Sequence, residues 1–117
     1  MIVRQATKQD IEGYYGRVPC PMLGIAAIHD GAVVGIAGLR FGLADPYAFL
    51  DLNRDARWDR RAMVVARKMF RQICDRYERV YTIREKSEFN SQRFLERVGF
   101  NYSHMLPDQS EVYIWHS

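Results

Sequence analysis

Three arginines, Arg57, Arg60 and Arg61, stand in a five-residue window just ahead of a long amphipathic stretch. Guanidinium groups pair with phosphate through parallel hydrogen bonds, and a helix starting there would add free N–H groups and the positive end of its dipole. The cluster therefore reads either as an anion site or as a solvated turn. Upstream, Asp51 sits in the apolar run Tyr47-Ala48-Phe49-Leu50-Asp51-Leu52. A carboxylate on a strand can take a proton from a bound amine, and can equally do nothing but face outward; geometry decides before pKa does. Cys20 and Cys74 have no C-x-x-C spacing, and His29, His104 and His116 stand alone, so no metal site is expected.

The elements that must position these residues follow from the apolar pattern. Met1 to Ala6 is a short strand, and Thr7-Lys8-Gln9-Asp10 opens a brief helix that Gly13, Gly16 and Pro19-Cys20-Pro21 end early. Met22 to Ile28 and Ala32 to Phe41 are strands joined at Asp30-Gly31, a pair that tolerates the positive φ of a tight turn. Tyr47 to Leu52 is the next strand. From Ala62, apolar residues at Met63, Ala66, Met69, Phe70, Ile73 and Tyr77 fall at three- and four-residue steps, a helical stripe. Arg79 to Arg84 is a strand; Ser87 can cap a further helix carrying Phe94, Leu95 and Val98, which Gly99 stops. Phe100 to Leu106 and Glu111 to Trp115 complete the chain. The fold class is thus α/β (α+β) in the order β-α-β-β-β-α-β-α-β-β. The strands flanking the long helix are joined by a crossover and must be parallel, and the hairpins antiparallel.

Length and composition fit one domain: 117 residues, 48% apolar and 26% charged. The chain carries no long apolar run and no secretory leader pattern, so a cytoplasmic protein without a membrane segment is expected. The net charge is only +3, yet Arg54 to Arg97 holds 13 basic against 7 acidic residues. The acidic residues are interspersed and no nucleic-acid motif is present, so this stretch reads as a solvated helical face and nucleic acid is not expected as a partner.

Three local patterns in this order resemble the GNAT superfamily of acetyl-CoA-dependent N-acetyltransferases. They are Arg4-Gln5-Ala6-Thr7 with Asp10, Asp30-Gly31-Ala32-Val33-Val34-Gly35-Ile36-Ala37-Gly38, and Phe94-Leu95-Glu96-Arg97-Val98-Gly99-Phe100. The resemblance covers nearly the whole chain. It implies a mixed, mostly antiparallel sheet flanked by helices, whose fourth and fifth strands splay to admit the arm of acetyl-CoA. It further implies cofactor contacts from Leu52, Asn53, Arg57, Arg60, Arg61, Ala62, Ser91 and Phe94, and Asp51 as the catalytic base for an amine acceptor.

The chain also departs from that pattern. In the pyrophosphate loop, R/Q-x-x-G-x-G/A in the family, Arg57 and Ala62 match, while Trp58 and Arg60 replace glycines that let the backbone approach phosphate. Glu88 falls where an asparagine is usual, with Asn90 two residues on, and Leu95 falls where a tyrosine acid is common. Tyr102 and Tyr113 are other hydroxyls. Only Lys8 to Pro21 lies between the first two strands, so an acceptor pocket would draw on a neighbouring subunit or another protein. These departures support an alternative: a catalytically degenerate module working in protein assembly, with a looser likeness, through Arg93-Phe94-Leu95 and Gly99, to phage virion proteins and hence phage structural partners. Trp58 and Trp115 read as packing or interface residues, and both cysteines as free thiols.

Overall fold

The computed structural model describes residues 1–42, 44–53, 59–84 and 91–116. Its elements follow the order read from the sequence: β1 (Ile2–Gln5), α1 (Lys8–Tyr15), β2 (Met22–His29), β3 (Ala32–Arg40), β4 (Tyr47–Leu52), α2 (Arg60–Cys74), β5 (Arg79–Ile83), α3 (Ser91–Val98), β6 (Asn101–Met105) and β7 (Glu111–His116). The strands form one sheet in the order β1-β2-β3-β4-β5-β7-β6. Every pairing is antiparallel except β4 with β5, across the crossover through α2.

The start of the chain is held by one carboxylate. Thr7 caps α1, its side chain accepting from the Asp10 amide, while Asp10 accepts from the Thr7 amide. Arg4 reaches the same carboxylate with both terminal nitrogens, one at 2.9 Å. The Arg4 hydrogen bond, reinforced by Thr7, holds the buried Asp10 carboxyl below the usual carboxylate range. Of the glycines expected to end α1, Gly13 lies inside it and Gly16, at φ 79°, ends it. We predict that Asp10→Ala costs about 2 kcal/mol in urea denaturation, since a cap and a charge-assisted bond are lost together. The sign of the pH dependence follows from the depressed folded-state pKa. The contribution is complete above the unfolded carboxylate's value, about 4, and is lost as pH falls through the lower folded value.

The other two patterns are equally structural. Asp30 (φ 51°) and Gly31 (φ 78°) form the two-residue turn of the β2–β3 hairpin. At the end of α3, the amides of Gly99 and Phe100 both donate to the Leu95 carbonyl, with Gly99 at φ 119°. A Cβ on Gly99 would also press on the Trp115 indole at 3.2 Å. Trp115 is thus a packing residue, and Cys74, fully buried, has its thiol pushed up to about 12 by desolvation.

Alternation divides the sheet into two covered faces. Ile25, Leu39, Ala48, Val80, Tyr113 and Trp115 meet Phe70 and Ile73 of α2 and Val98 of α3 on one face. Ala26, Ile36 and Phe49 meet Ile11 of α1 on the other, with Tyr14, Tyr15 and Tyr47 packed around them. The long helix ends at Cys74, so Tyr77 lies beyond it and packs on Phe41 at 5.5 Å between ring centroids. Among the described residues, no helix is long and apolar enough to cross a membrane.

Candidate functional site

The sheet is interrupted between its two parallel strands. Among the described residues β4 and β5 share a single register pair, Tyr47 with Tyr81. The Tyr81 amide donates to the Pro46 carbonyl at 3.1 Å, and one step further the Thr82 hydroxyl donates to the Ala48 carbonyl at 2.8 Å. A side chain thus takes over where the ladder stops. Backbone groups alternate sides along a strand, so the N–H and C=O of Leu50 and Leu52 share the Ala48 side and point into the opening, an internal sheet edge. The Leu50 and Leu52 side chains are exposed beside it. Such an opening can take an extended amide-containing arm by strand-like hydrogen bonds.

Past β4, Asn53 is exposed and its amide donates back to the Val34 carbonyl at 2.9 Å. Arg57, Trp58, Ser87, Glu88 and Asn90 lie outside the described residues. Arg60 and Arg61 are the first two residues of α2 and are exposed, whereas Ala62 is buried. Asp59 caps this helix, its carboxylate accepting from the Ala62 amide at 2.7 Å. Among the described residues, the amides of Arg60 and Arg61 and the two guanidinium groups are the donors that an anion could use here, while the third amide is held by a carboxylate. That set fits a pyrophosphate bound mainly through guanidinium groups rather than a glycine cradle. Ser91 opens α3, and Phe94 is half-buried against the main core.

Asp51 lies on the α1-covered face and is not an idle outward carboxylate. Its Oδ2 accepts from the Tyr15 hydroxyl and from Arg40 Nη2, the latter at 3.2 Å. The Arg40 guanidinium stands over the Phe49 ring, 4.5 Å from its centroid. Burial, then the adjacent Asp51, pushes the Tyr15 phenol far up, so it remains a hydrogen-bond donor; burial and Asp51 raise Tyr14 as well. The Asp51 side chain remains 42% exposed. Sequence reasoning found Asp51 but missed Tyr15 and Arg40, which lie 36 and 11 residues from it along the chain.

The candidate acids resolve differently. Leu95 packs on the core. Tyr113 is buried, its phenol raised by desolvation, and its ring meets that of Tyr102 edge-on at 5.9 Å. Among the described residues, no three His, Cys, Asp or Glu side chains are grouped to hold a metal.

No family model matches the chain, and no curated protein matches it in sequence. Solved structures do match in fold. A GNAT-family acetyltransferase from Streptococcus pneumoniae superposes with a TM-score of 0.68 at 9% identity, covering 97% of this chain and 95% of that one. AAC(6')-Ib, in complex with paromomycin and acetyl-CoA, matches at 0.60 and 15% identity, covering 97% and 92%. An acetyltransferase from Agrobacterium tumefaciens matches at 0.61 and 16% identity; it covers 92% of this chain, which spans only 65% of that protein. The fold is that of the GNAT acetyltransferases.

Proposed function

We propose that this domain transfers an acetyl group from acetyl-CoA to a primary amine. The observation that carries the reading is the opening between β4 and β5, in which, among the described residues, one ladder pair is followed by strand groups at Leu50 and Leu52 with no partner on β5. Acetyl-CoA supplies an acetyl group activated as a thioester: the C–N bond to the amine forms as the C–S bond breaks, and the departing thiolate takes a proton from solvent. Leu50 and Leu52 would hold its arm through their backbone groups, and Arg60, Arg61 and the start of α2 would hold its pyrophosphate. Asp51, with Oδ2 occupied by Tyr15 and Arg40, takes the proton of the acceptor ammonium on Oδ1. An amine is nucleophilic only once that proton has left, which is why a carboxylate beside the opening matters.

A second reading is a GNAT-fold module without turnover, an assembly component as in a phage particle. It is favoured by Asp59, whose carboxylate occupies an amide at the start of α2. Measurement of free thiol released from acetyl-CoA, with and without a panel of primary amines, separates the two. Amine-dependent release supports transfer; no release above the uncatalysed rate with any amine supports the module.

A further inference from the structure

We propose that Arg40 is a positioning residue for the acceptor amine, spanning two cross-strand steps to fix Asp51 with Oδ2 closed and Oδ1 open. This inference rests on the acetyl-transfer reading. In the β3–β4 register Arg40 lies opposite Tyr47, Gly38 opposite Phe49 and Ile36 opposite Asp51. Arg40 and Asp51 are therefore offset by four residues of strand, about 13 Å along the sheet. They still meet at 3.2 Å, because the arginine lies extended over Phe49. Between Arg40 and Ile36 on that face of β3 stands Gly38, which carries no side chain. A lysine could reach the carboxylate but would lack the planar group that stacks on Phe49.

The arrangement carries a cost that an ordinary surface ion pair avoids. Arg40 Nε is shielded from solvent and, among the described residues, has no hydrogen-bond partner. A buried unpaired donor is expensive, whereas an exposed pair contributes little to stability. The geometry instead delivers two donors to a single carboxylate oxygen: Arg40 from β3, and Tyr15 from the last residue of α1. With Oδ2 doubly occupied the carboxylate cannot turn, and an amine meets Oδ1 from one direction. The short segment between β1 and β2 thus contributes to the acceptor side through one hydroxyl.

The test uses Arg40→Met and Arg40→Lys in the full chain, with isotope-labelled tyrosine. Arg40→Met is expected to shift the Tyr15 ring signals, and Arg40→Lys to restore them in part. Amine-dependent kcat/KM falls about 10- to 100-fold in Arg40→Met, with the KM for acetyl-CoA within about twofold of the parent. Unmoved Tyr15 signals, or an unchanged kcat/KM in Arg40→Met, overturn the proposal. Calorimetry of the parent chain with acetyl-CoA tests the underlying reading separately. If no cofactor binds while the Tyr15 signals respond to Arg40, the transfer reading and the amine-positioning role both fall, and only the hold of Arg40 on the carboxylate stands.

Discussion

Asp51→Asn is expected to lower amine-dependent acetyl transfer by about 100- to 10,000-fold, the range spanned by a general base. The substitution is informative because it is conservative in shape. The asparagine carbonyl can still accept from Tyr15 and Arg40, so the tie between α1 and β4 is kept while the proton acceptor is lost. Acetyl-CoA binding is expected to stay within about twofold, since Asp51 lies on the α1-covered face with Tyr15 and Arg40 and its role in the proposed reaction is toward the amine. The phenol offers an independent check. With the charge gone, part of what raises the Tyr15 pKa is removed, and the phenol titrates at lower pH in an ultraviolet absorbance titration; burial still keeps it above the ordinary value. In the parent chain, folding favours the neutral phenol. That stability is complete below the unfolded tyrosine value, about 10, and is lost as pH rises towards the folded value. Unchanged turnover in Asp51→Asn removes Asp51 from the reaction.

Gly38→Val is expected to have the largest effect on stability, a loss of about 3 kcal/mol or more. A Cβ at Gly38 would stand 2.1 Å from the Leu23 carbonyl oxygen and 2.5 Å from the Gly24 Cα. Both are backbone atoms of the neighbouring strand and cannot turn aside, so β2 and β3 would have to part. Gly13→Ala is the control: nothing lies within 4 Å of a Cβ there, and alanine in a helix interior is favoured by about 0.5–1 kcal/mol. Urea denaturation of the two variants measures both effects. A Gly38→Val protein as stable as the parent would contradict the close β2–β3 approach.

Why the fold was more legible than the site follows from what the three patterns do. Arg4, Thr7 and Asp10 form an ion pair and a capping box; Asp30-Gly31 makes a turn; Gly99 ends α3 and clears Trp115. Each is satisfied within a few residues or by one neighbour, so local sequence suffices to reveal it. None of these groups belongs to the Tyr15–Asp51–Arg40 cluster, so a resemblance built on them conveys architecture. The Tyr15–Asp51–Arg40 cluster, by contrast, depends on the β3–β4 register and on where α1 crosses the sheet, which the sequence does not display. Gly38, in the middle of an apolar strand, marks a close approach of the β2 backbone and not this cluster. The extent of the β4–β5 ladder is likewise a property of twist and packing, not of any residue type. At the start of α2, Arg60 and Arg61 are exposed as a phosphate site requires, but the Asp59 cap was not anticipated.

The central claim is that the opening between β4 and β5 receives acetyl-CoA. Nuclear magnetic resonance titration of the labelled full chain with acetyl-CoA, following the amides of Leu50 and Leu52, tests it most directly. Saturable shifts of both amides, with a dissociation constant between about 1 μM and 1 mM, are the predicted result. No movement of either amide at several times about 1 mM acetyl-CoA, the upper end of that range, would contradict it.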